Sequence, residues 1–530
     1  MDSNLNNIYM KGLKPFAITF FVTACLILTG CKDNSTGPAG PDVNILNETV
    51  TPNPSGVAPL TALISLETES PVSISVKVAG INGPESDITH NFEQLGTQLE
   101  IPVLGLYANI ENTVELTFRD ENGNDLGTKT YSIQTPPLSV DMPNVEINTA
   151  NRSQMIEGLT FVSYFGHATN SDPTPQRPFM FDSFGDIRWY LDFSSHSTLN
   201  NMFYDDGMER LQNGNLYFGD GSTGRIYEIN MLGEILNTWP MSGFSFHHEV
   251  TEKPNGNFLV TVNKNGANTV EDHIIEIDRN SKQIINVWDL RESLDQNRTA
   301  WDTNLADISV DWFHGNALYF DETDNTIVVS GRTQGTVKLT ENNEVVWIIA
   351  PHKEWGTSGN GTDLSQFLLQ PLDSNGQEIT DQAVLAGDQN HSDFEWSWYQ
   401  HAPLRMPNGN VMLFDNGDNR NYGAGALYSR AVEYDINEND MTIQQVWSYG
   451  KERGQETYSR IVSDVDYYPE ENHVFFIPGA SNFGGSKYGK SIELDYTQQQ
   501  VIFEATITPP VAAFGLITLH RTERMTMYPE

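Results

Sequence analysis

An Asn-Gly-Asn turn recurs along the chain, and each copy stands directly before a short apolar run. Such a turn supplies the positive φ angles of a tight hairpin, so every copy is expected to join two antiparallel strands. Most copies are followed by a strand containing Glu-x-Asp and then by one containing tryptophan. The turns are at 213–215, 255–257 and 408–410, with looser copies at 324–326 and 471–473; the glutamates are Glu276, Glu433 and Glu493, and the tryptophans Trp288, Trp347 and Trp447.

The spacing of these turns predicts the fold. Their anchoring asparagines, at positions 215, 257, 325, 410 and 472, lie 42, 68, 85 and 62 residues apart. These intervals match four-stranded blades with insertions, whereas a solenoid would need more even spacing. Residues Met155 to Phe193 add a first unit without the turn. We therefore predict an all-β chain in which residues 145–530 form a six-bladed β-propeller.

Residues 44–140 follow a simpler pattern, with apolar and polar residues alternating in short runs. Val72 to Val78 and Val114 to Phe118 are two such runs, and Asn122 to Asn124 supply a turn signal. Alternation with period two indicates strands that bury one face. Pro136 and Pro137 then mark a boundary. This segment is predicted to be a small N-terminal β-sandwich that precedes the propeller.

The first 43 residues read as an export and anchoring signal. Lys11 and Lys14 precede an apolar run from Phe16 to Leu28, which is too short for a membrane span and typical of a secretory signal. The run ends in Leu-Thr-Gly-Cys, which resembles the lipobox of bacterial lipoproteins. We predict a lipoprotein signal peptide at 1–30, lipidation of Cys31 and a polar tether at 31–43. The protein would then be extracytoplasmic and anchored at the bacterial envelope, in the periplasm or at the outer membrane.

Charge excludes several classes of partner. The chain has 30 basic and 70 acidic residues, a formal charge of −40. Nucleic-acid binding depends on neutralising phosphates with Lys and Arg, so no nucleic-acid partner is expected. Anionic lipid would repel the same surface, so contact with a membrane is expected only through the lipid anchor.

Three histidines occupy matching places in the repeats. His248 lies nine residues before Asn257, and His401 lies nine before Asn410. His314 lies eleven before Asn325. Each would therefore stand at or beside the innermost strand of its blade, so the three imidazoles should converge near the central axis.

Two other residues are placed to share that cavity. Asn316 follows His314 by two positions, and Arg332 ends the same hairpin. A nearly neutral imidazole is a competent nucleophile, and a guanidinium stabilises charged oxygens. The same three histidines also match the ligand set of a catalytic zinc ion, so a metal-dependent hydrolase is an alternative. A non-catalytic surface propeller that binds other molecules is a second alternative, since fold does not fix function.

These residues resemble the bacterial arylsulfotransferases that use phenolic sulfate esters in place of a nucleotide sulfate donor. The resemblance is carried by His-His-Glu at 247–249, His-Gly-Asn at 314–316 followed by Arg332, and Gln-His at 400–401. Phe-Asp-Asn-Gly at 414–417 and the closing His-Arg-Thr-Glu-Arg at 520–524 also match. It covers nearly the whole chain after the signal, because the family also places a small β domain before a six-bladed propeller.

The resemblance implies roles for individual residues. His401 matches the family's nucleophile, which becomes transiently sulfurylated, and the other matching site positions are His248, His314, Asn316 and Arg332. His247 is an alternative to His248, although the repeat register favours His248. A further substrate-binding position falls near Tyr458 and Ser459. The expected reaction is a ping-pong transfer from a small phenolic sulfate donor to a phenol acceptor, with no cofactor and no metal.

Overall fold

The computed structural model describes residues 41–166, 168–169, 172–173, 176–205, 207–299, 310–510 and 518–529. The predicted signal peptide and Cys31 lie outside these residues, as does most of the predicted tether. Within the described part of the chain, no helix has both the length and the apolar character needed to cross a membrane. Residues from Pro41 onward form one compact unit.

The N-terminal strands form one hydrogen-bonded sheet. Residues 62–67 of the second strand pair with the first and third strands, and residues 72–78 pair with the third and fourth. Apolar side chains alternate into one buried face, as the period-two pattern predicts. The sheet thus carries two halves on shared long strands, and the two-sheet sandwich stays a prediction. The strands are β1 (Ile45–Pro52), β2 (Ala62–Val78), β3 (Ile88–Val103), β4 (Glu111–Arg119) and β5 (Asp125–Gln134), with a 3-10 turn at Pro84–Ser86.

Short strands are the main regular structure in the rest of the described chain and helical segments are few, so the prediction of an all-β protein is confirmed. Its helical segments are α1 (Leu290–Ser293), α2 (Gln382–Leu385) and 3-10 turns at Leu364–Phe367, Arg420–Gly423 and Lys451–Glu456. The strands, in chain order, are β6 (Asn144–Ala150), β7 (Leu159–Gly166), β8 (Ala168–Thr169), β9 (Asp172–Pro173), β10 (Phe179–Phe181), β11 (Ile187–Tyr190), β12 (Glu209–Arg210), β13 (Leu216–Asp220), β14 (Arg225–Ile229), β15 (Ile235–Pro240), β16 (Phe244–Glu252), β17 (Phe258–Lys264), β18 (His273–Ile277), β19 (Ile284–Asp289), β20 (Gly315–Asp321), β21 (Thr326–Gly331), β22 (Gly335–Leu339), β23 (Val345–Ile349), β24 (Gln370–Leu372), β25 (His401–Arg405), β26 (Val411–Asp415), β27 (Arg430–Asn437), β28 (Thr442–Tyr449), β29 (Asp464–Tyr468), β30 (His473–Ile477), β31 (Ser481–Phe483), β32 (Ser486–Asp495), β33 (Val501–Thr508) and β34 (Thr518–Met525).

These strands pair into six successive sheets across the described residues after 143, besides the small β8–β9 ribbon. Four of the sheets contain neighbouring strands in chain order: β12–β15, β16–β19, β20–β23 and β24–β28. The other two contain the chain ends, because β34 pairs with β7 in the first sheet and β6 pairs with β33 in the last. Along this series, an edge strand of one sheet contacts an edge strand of a neighbouring sheet; we call these the first strands. The contacts run from β16 to β20, from β20 to β25, from β25 to β29 and from β29 to β34.

The recurring glutamate secures the recurring turn. Both side-chain amides of Asn408 and Asn410 donate to Oε1 of Glu433, at 3.0 and 2.6 Å. The same bond joins Asn257 to Glu276 at 2.7 Å. The Asn-Gly-Asn and Glu-x-Asp motifs are therefore two halves of one interaction between the first hairpin and the third strand of a sheet.

The recurring tryptophan secures one sheet to the next. The buried indole N–H of Trp288, in β19, donates to the carbonyl of Thr340 in the following sheet at 2.9 Å. Similar bonds run to the backbone carbonyls of Met231 from Trp189, of Arg279 from Trp239 and of Tyr496 from Trp447. Trp347 donates instead to the carboxylate of Glu438. These bonds join one sheet to the next beside large aromatic rings, which stabilises the order of the sheets.

The N-terminal sheet shares its core with the first of the six sheets. Arg188, fully buried in β11, donates to the carbonyls of Gly105 and Ser86 at 2.9 and 3.0 Å. Its charge is balanced by Asp182 at 3.0 Å. One continuous apolar cluster includes side chains from both regions. The two predicted domains are consequently joined by a packed interface.

A group of carboxylates lies on the first strands around Arg521 of β34. Its guanidinium contacts Glu209, and it lies 3.1 Å from Glu249 and 3.6 Å from Asp464. Burial, followed by the nearby Glu209 carboxylate, raises the pKa of Glu523 to about 8. Glu523 therefore binds a proton more tightly in the folded protein than in the unfolded chain.

This raised pKa predicts how stability depends on pH. The stability contributed by protonated Glu523 is fully present below the ordinary carboxyl pKa of 4.5 and is lost progressively as the pH rises from there to about 8. The melting temperature should fall over that range, and Glu523→Gln, which keeps the neutral shape, should flatten the fall. Thermal unfolding at stepped pH values measures it, with exposed Glu341→Gln as the control. An unchanged pH slope in Glu523→Gln would contradict the assignment.

Candidate active site

The three histidines in register lie at irregularities of the first strands. The pairing of β16 with β17 shifts between Phe246 and Val250, and that of β25 with β26 shifts between His401 and Leu404. His248 and His314 have φ values of 60° and 55°, in the left-handed region that side chains rarely adopt. Strain of this kind concentrates at functional sites, where the surrounding structure holds the residue in place.

His248 and His314 form a close buried pair. Their Nε2 atoms are 3.2 Å apart. Nδ1 of His314 lies 2.6 Å from Oε2 of Glu271 and 2.7 Å from Oδ2 of Asp311. Burial by itself lowers the pKa of His314, but the two carboxylates outweigh it and raise that pKa above its ordinary value. His314 is therefore the more readily protonated member of the pair.

His248 has the opposite tendency. Burial, followed by the surrounding histidines, lowers the pKa of His248 well below its ordinary value. Its backbone N–H donates to Oδ2 of Asp205 at 2.9 Å, and its Nδ1 lies 3.5 Å from the same oxygen. At neutral pH this ring is uncharged. His520 lies beside His248, with a ring nitrogen within 4.8 Å of one on His248, and His401 is also among the histidines that lower the pKa of His248.

The tautomer of His401 is set by two oxygen acceptors. Its Nδ1 lies 2.8 Å from Oδ1 of Asn416 and 3.1 Å from the carbonyl of Tyr399. The Asn416 amide cannot be reversed, because its nitrogen donates to the carbonyls of Ser459 and Val462 at 2.9 and 2.8 Å. Nδ1 of a neutral His401 therefore carries the hydrogen, and Nε2 carries the lone pair.

Asn316 and Arg332 complete the predicted group. Nδ2 of the fully buried Asn316 donates to the carbonyl of Gln400, next to His401, at 2.9 Å, while its Oδ1 is buried without a hydrogen-bond partner. The backbone N–H of Arg332 donates to the carbonyl of His314 at 3.0 Å. Its guanidinium lies 3.8 Å from Asp311. Both residues are thus attached to the strands that carry His314 and His401.

The structure places His247 in the same cluster. Its ring packs edge-on against that of His248, with centroids 4.2 Å apart, and its Nε2 lies 3.0 Å from Glu271. His247 is partly exposed, whereas His248 is buried and paired with His314. The repeat spacing also favoured His248 over His247, so the sequence and the close contact of His248 with His314 point to the same residue. His247 lies nearer to solvent.

Tyr458 and Ser459 serve the site in different ways. The hydroxyl of Tyr458 donates to Asp418 at 3.0 Å. The hydroxyl of the fully buried Ser459 donates to the carbonyl of Ile461 at 3.0 Å, while its own carbonyl accepts from Asn416. Ser459 therefore supports the orientation of Asn416. Its hydroxyl serves the local loop, and substrate contact by either residue stays a prediction.

The sequence analysis gave no role to several residues of this cluster. Asn416 and His520 lie in motifs that carry the family resemblance, but neither was assigned a function. The carboxylates were missed because they lie outside the turn register and no repeat marks them. They are Asp205, Glu271 and Asp311.

Metal-ligating atoms also come together in this region. Among the described residues, three groups have their atoms within 4.8 Å of one another, and His401 belongs to none of them. Nδ1 of His314 is already hydrogen-bonded to Asp311, and Nε2 of His314 and Nε2 of His248 face each other at 3.2 Å, so these ring nitrogens are in use within the cluster. The groups are Asp205, His248 and His520; His247, His248 and Glu271; and Glu271, Asp311 and His314.

Comparison with known proteins identifies the family. The arylsulfotransferase (ASST) family model matches residues 144–513, and the arylsulfotransferase Ig-like domain model matches residues 49–136. The chain is 30% identical to arylsulfate sulfotransferase AssT of Escherichia coli O6:H1 (strain CFT073), over 86% of this chain and 89% of that protein. It is equally similar, at 30% over the same shares, to the AssT protein of Lelliottia amnigena. The predicted resemblance is confirmed: this chain belongs to the arylsulfotransferase family and is a sulfotransferase.

Proposed function

We propose that this enzyme moves the sulfuryl group of a phenolic sulfate ester to a second phenol, through a sulfurylated His401 and without a nucleotide sulfate donor. The observation that carries the proposal is the fixed tautomer of His401. Oδ1 of Asn416 and the carbonyl of Tyr399 accept the hydrogen on Nδ1 of His401, so Nε2 holds the lone pair that a nucleophile needs. The names of its two relatives support an aryl sulfate as the substrate class.

In the first half-reaction, Nε2 of His401 attacks the sulfur atom of the ester. The N–S bond forms as the S–O bond to the phenol breaks, and the phenol oxygen leaves with the electron pair. Asn316 is bonded to the residue before His401, and Arg332 is bonded to His314; we assign both the role of donating to the sulfuryl oxygens, where charge is shared in the transition state. The departing oxygen requires a proton, which a neighbouring histidine supplies.

The second half-reaction is the reverse, with a new phenol. Its hydroxyl gives a proton to the same histidine, its oxygen attacks sulfur, and the N–S bond to His401 breaks. Donor and acceptor occupy one place in turn, which is the ping-pong order. The cluster around His248 and His314 carries the proton between the halves, so the scheme uses side chains alone.

The fold proposal follows from the pairing of the sheets. We propose that the six sheets after residue 143 are six blades of a propeller and that the N-terminal sheet is an Ig-like sandwich. Sequential contact of first strands from β16 to β34, and entry of both chain ends into flanking sheets, support a closed ring. In such a ring the three histidine-bearing strands face the axis.

His401→Asn tests the nucleophile. Asparagine keeps a polar side chain of similar reach but has no basic ring nitrogen, so transfer from a chromogenic aryl sulfate to a phenol should fall by about three orders of magnitude or more. The far-ultraviolet spectrum and melting temperature should stay near those of the wild type. His391→Asn, at a histidine that accepts a bond within its own loop, is the matched control. Near-normal transfer by His401→Asn would refute this assignment.

We also propose that Cys31 is lipidated and holds the enzyme at the bacterial envelope. A lipobox-like sequence precedes the cysteine, and a polar segment follows it before the first described strand. A strongly acidic body gains nothing from anionic lipid, so acyl chains must supply the attachment.

Cys31→Ser should therefore release activity from the membrane fraction. Acylation requires the thiol, and its loss removes the only proposed anchor, leaving soluble protein or protein held by an uncleaved signal peptide. Fractionation and mass spectrometry of the N-terminal peptide measure the change, with Cys25→Ser as the control. Wild-type protein that fractionates as soluble and retains an unmodified Cys31 thiol would rule out the anchor.

A further inference from the structure

A continuous chain of polar contacts runs through the two paired histidines and ends on carboxylates at both sides. Glu271 and Asp311 contact Nδ1 of His314 at 2.6 and 2.7 Å. The Nε2 atoms of His314 and His248 are 3.2 Å apart. Nδ1 of His248 then lies 3.5 Å from Asp205. The order is carboxylates, imidazole, imidazole and carboxylate.

The acceptors at each end determine where the hydrogens lie. Carboxylate oxygens accept, so Nδ1 of His314 carries a hydrogen. Two nitrogens 3.2 Å apart need one hydrogen between them, and the raised pKa of His314 against the lowered pKa of His248 assigns it to His314. His248 is then neutral, with a lone pair on Nε2 and its hydrogen on Nδ1, toward Asp205.

Burial and one neighbouring cation oppose the protonation of His314. Burial lowers the pKa of His314, and the Arg332 guanidinium lowers it further. Two carboxylates beside one nitrogen overcome both effects, because the pKa of His314 is raised above its ordinary value. A merely structural histidine needs one acceptor, and a site for anionic sulfate esters has an electrostatic reason to avoid extra carboxylates.

We propose that Glu271 and Asp311 are positioning residues that keep His314 protonated as the acid of the transfer reaction, while Asp205 holds the neutral His248 opposite it by accepting from the backbone N–H of that residue. The inference rests on the proposed sulfuryl transfer through His401. When the ester reacts, the phenol oxygen replaces Nε2 of His248 as acceptor of the His314 hydrogen and leaves as a neutral phenol. His314 then has a lone pair on Nε2, which takes the proton of the acceptor phenol as that oxygen attacks sulfur.

This role predicts a particular dependence on the leaving group. A phenol that is a weak acid needs a proton to depart, whereas a strongly acidic nitrophenol does not. Asp311→Asn and Glu271→Gln should slow transfer from esters of weakly acidic phenols by about 10²-fold, and from nitrophenyl sulfate by only a few fold. Because each variant removes a carboxylate that raises the pKa of His314, the alkaline limb of the pH–rate profile should also move to lower pH.

The experiment measures single-turnover phenol release from a graded series of aryl sulfates, at stepped pH, for wild type and both variants. Asp324→Asn is the control, since Asp324 pairs with Lys338 outside this site. A steeper dependence on phenol acidity in either variant, with the shifted pH limb, is the expected result. If an active and folded variant loses the same fraction of its rate with every ester, or loses none, the proposed role of Glu271 and Asp311 is wrong, while the sulfuryl transfer itself is not affected.

Failure of the proposed function would look different. A wild-type enzyme that releases no phenol from any ester would refute the sulfuryl transfer itself, and with it the role proposed for Glu271 and Asp311. If Asp311→Asn does not fold, Glu271→Gln gives the same test from the other carboxylate.

Discussion

The indole bond between successive sheets is the interaction on which the rest of the structure depends. Five tryptophans on outer strands each donate across to the next sheet, as Trp288 does to Thr340. A net hydrogen bond contributes only about 0.5–1.5 kcal/mol, but four of these tryptophans also bury the whole ring, and Trp447 buries part of it. The position of one sheet thereby fixes the next. Because His248, His314 and His401 are on three different sheets, their distances are set by these contacts.

Within that frame, the site works by opposing charges. The chain is strongly acidic overall, yet a sulfuryl donor is an anion, so the local balance has to differ from the global one. Arg332 supplies positive charge, the raised pKa of His314 favours a second positive charge there, and the lowered pKa of His248 keeps that ring neutral. The carboxylates at Glu271 and Asp311 are directed at His314, where they favour its protonation. Each group has a different task because each has a different set of neighbours.

The sequence predicted the site residues that lie in the repeated hairpins, and it missed those that lie outside them. The turn register located His248, His314 and His401, because a repeated hairpin carries each histidine to the same place. Asn316 and Arg332 followed from their spacing to His314. Glu271 and Asp311 left no such signal, since they stand before strands in loops of unequal length. Partners that meet only through tertiary contacts have no periodic signature.

The same limit explains which structural contacts the sequence did not predict. The Asn-Gly-Asn and Glu-x-Asp motifs were visible separately, but only the structure joins Asn410 to Glu433. Proline at 136–137 predicted a boundary, and the last strand of the N-terminal sheet does end just before it, at Gln134. Arg188 nevertheless bonds back to Gly105, in the loop that follows β3. A composition break shows where the chain changes direction, while the contacts across the break depend on residues far apart in sequence.

The central claim is that His401 carries the sulfuryl group between two phenols. Incubating the enzyme with an aryl sulfate and no acceptor, followed by intact and peptide mass spectrometry, tests it most directly. The account predicts a gain of one sulfuryl group, mapped to His401, which disappears when a phenol is added. Full transfer activity with no sulfurylated intermediate, or with the group on another residue, would contradict it.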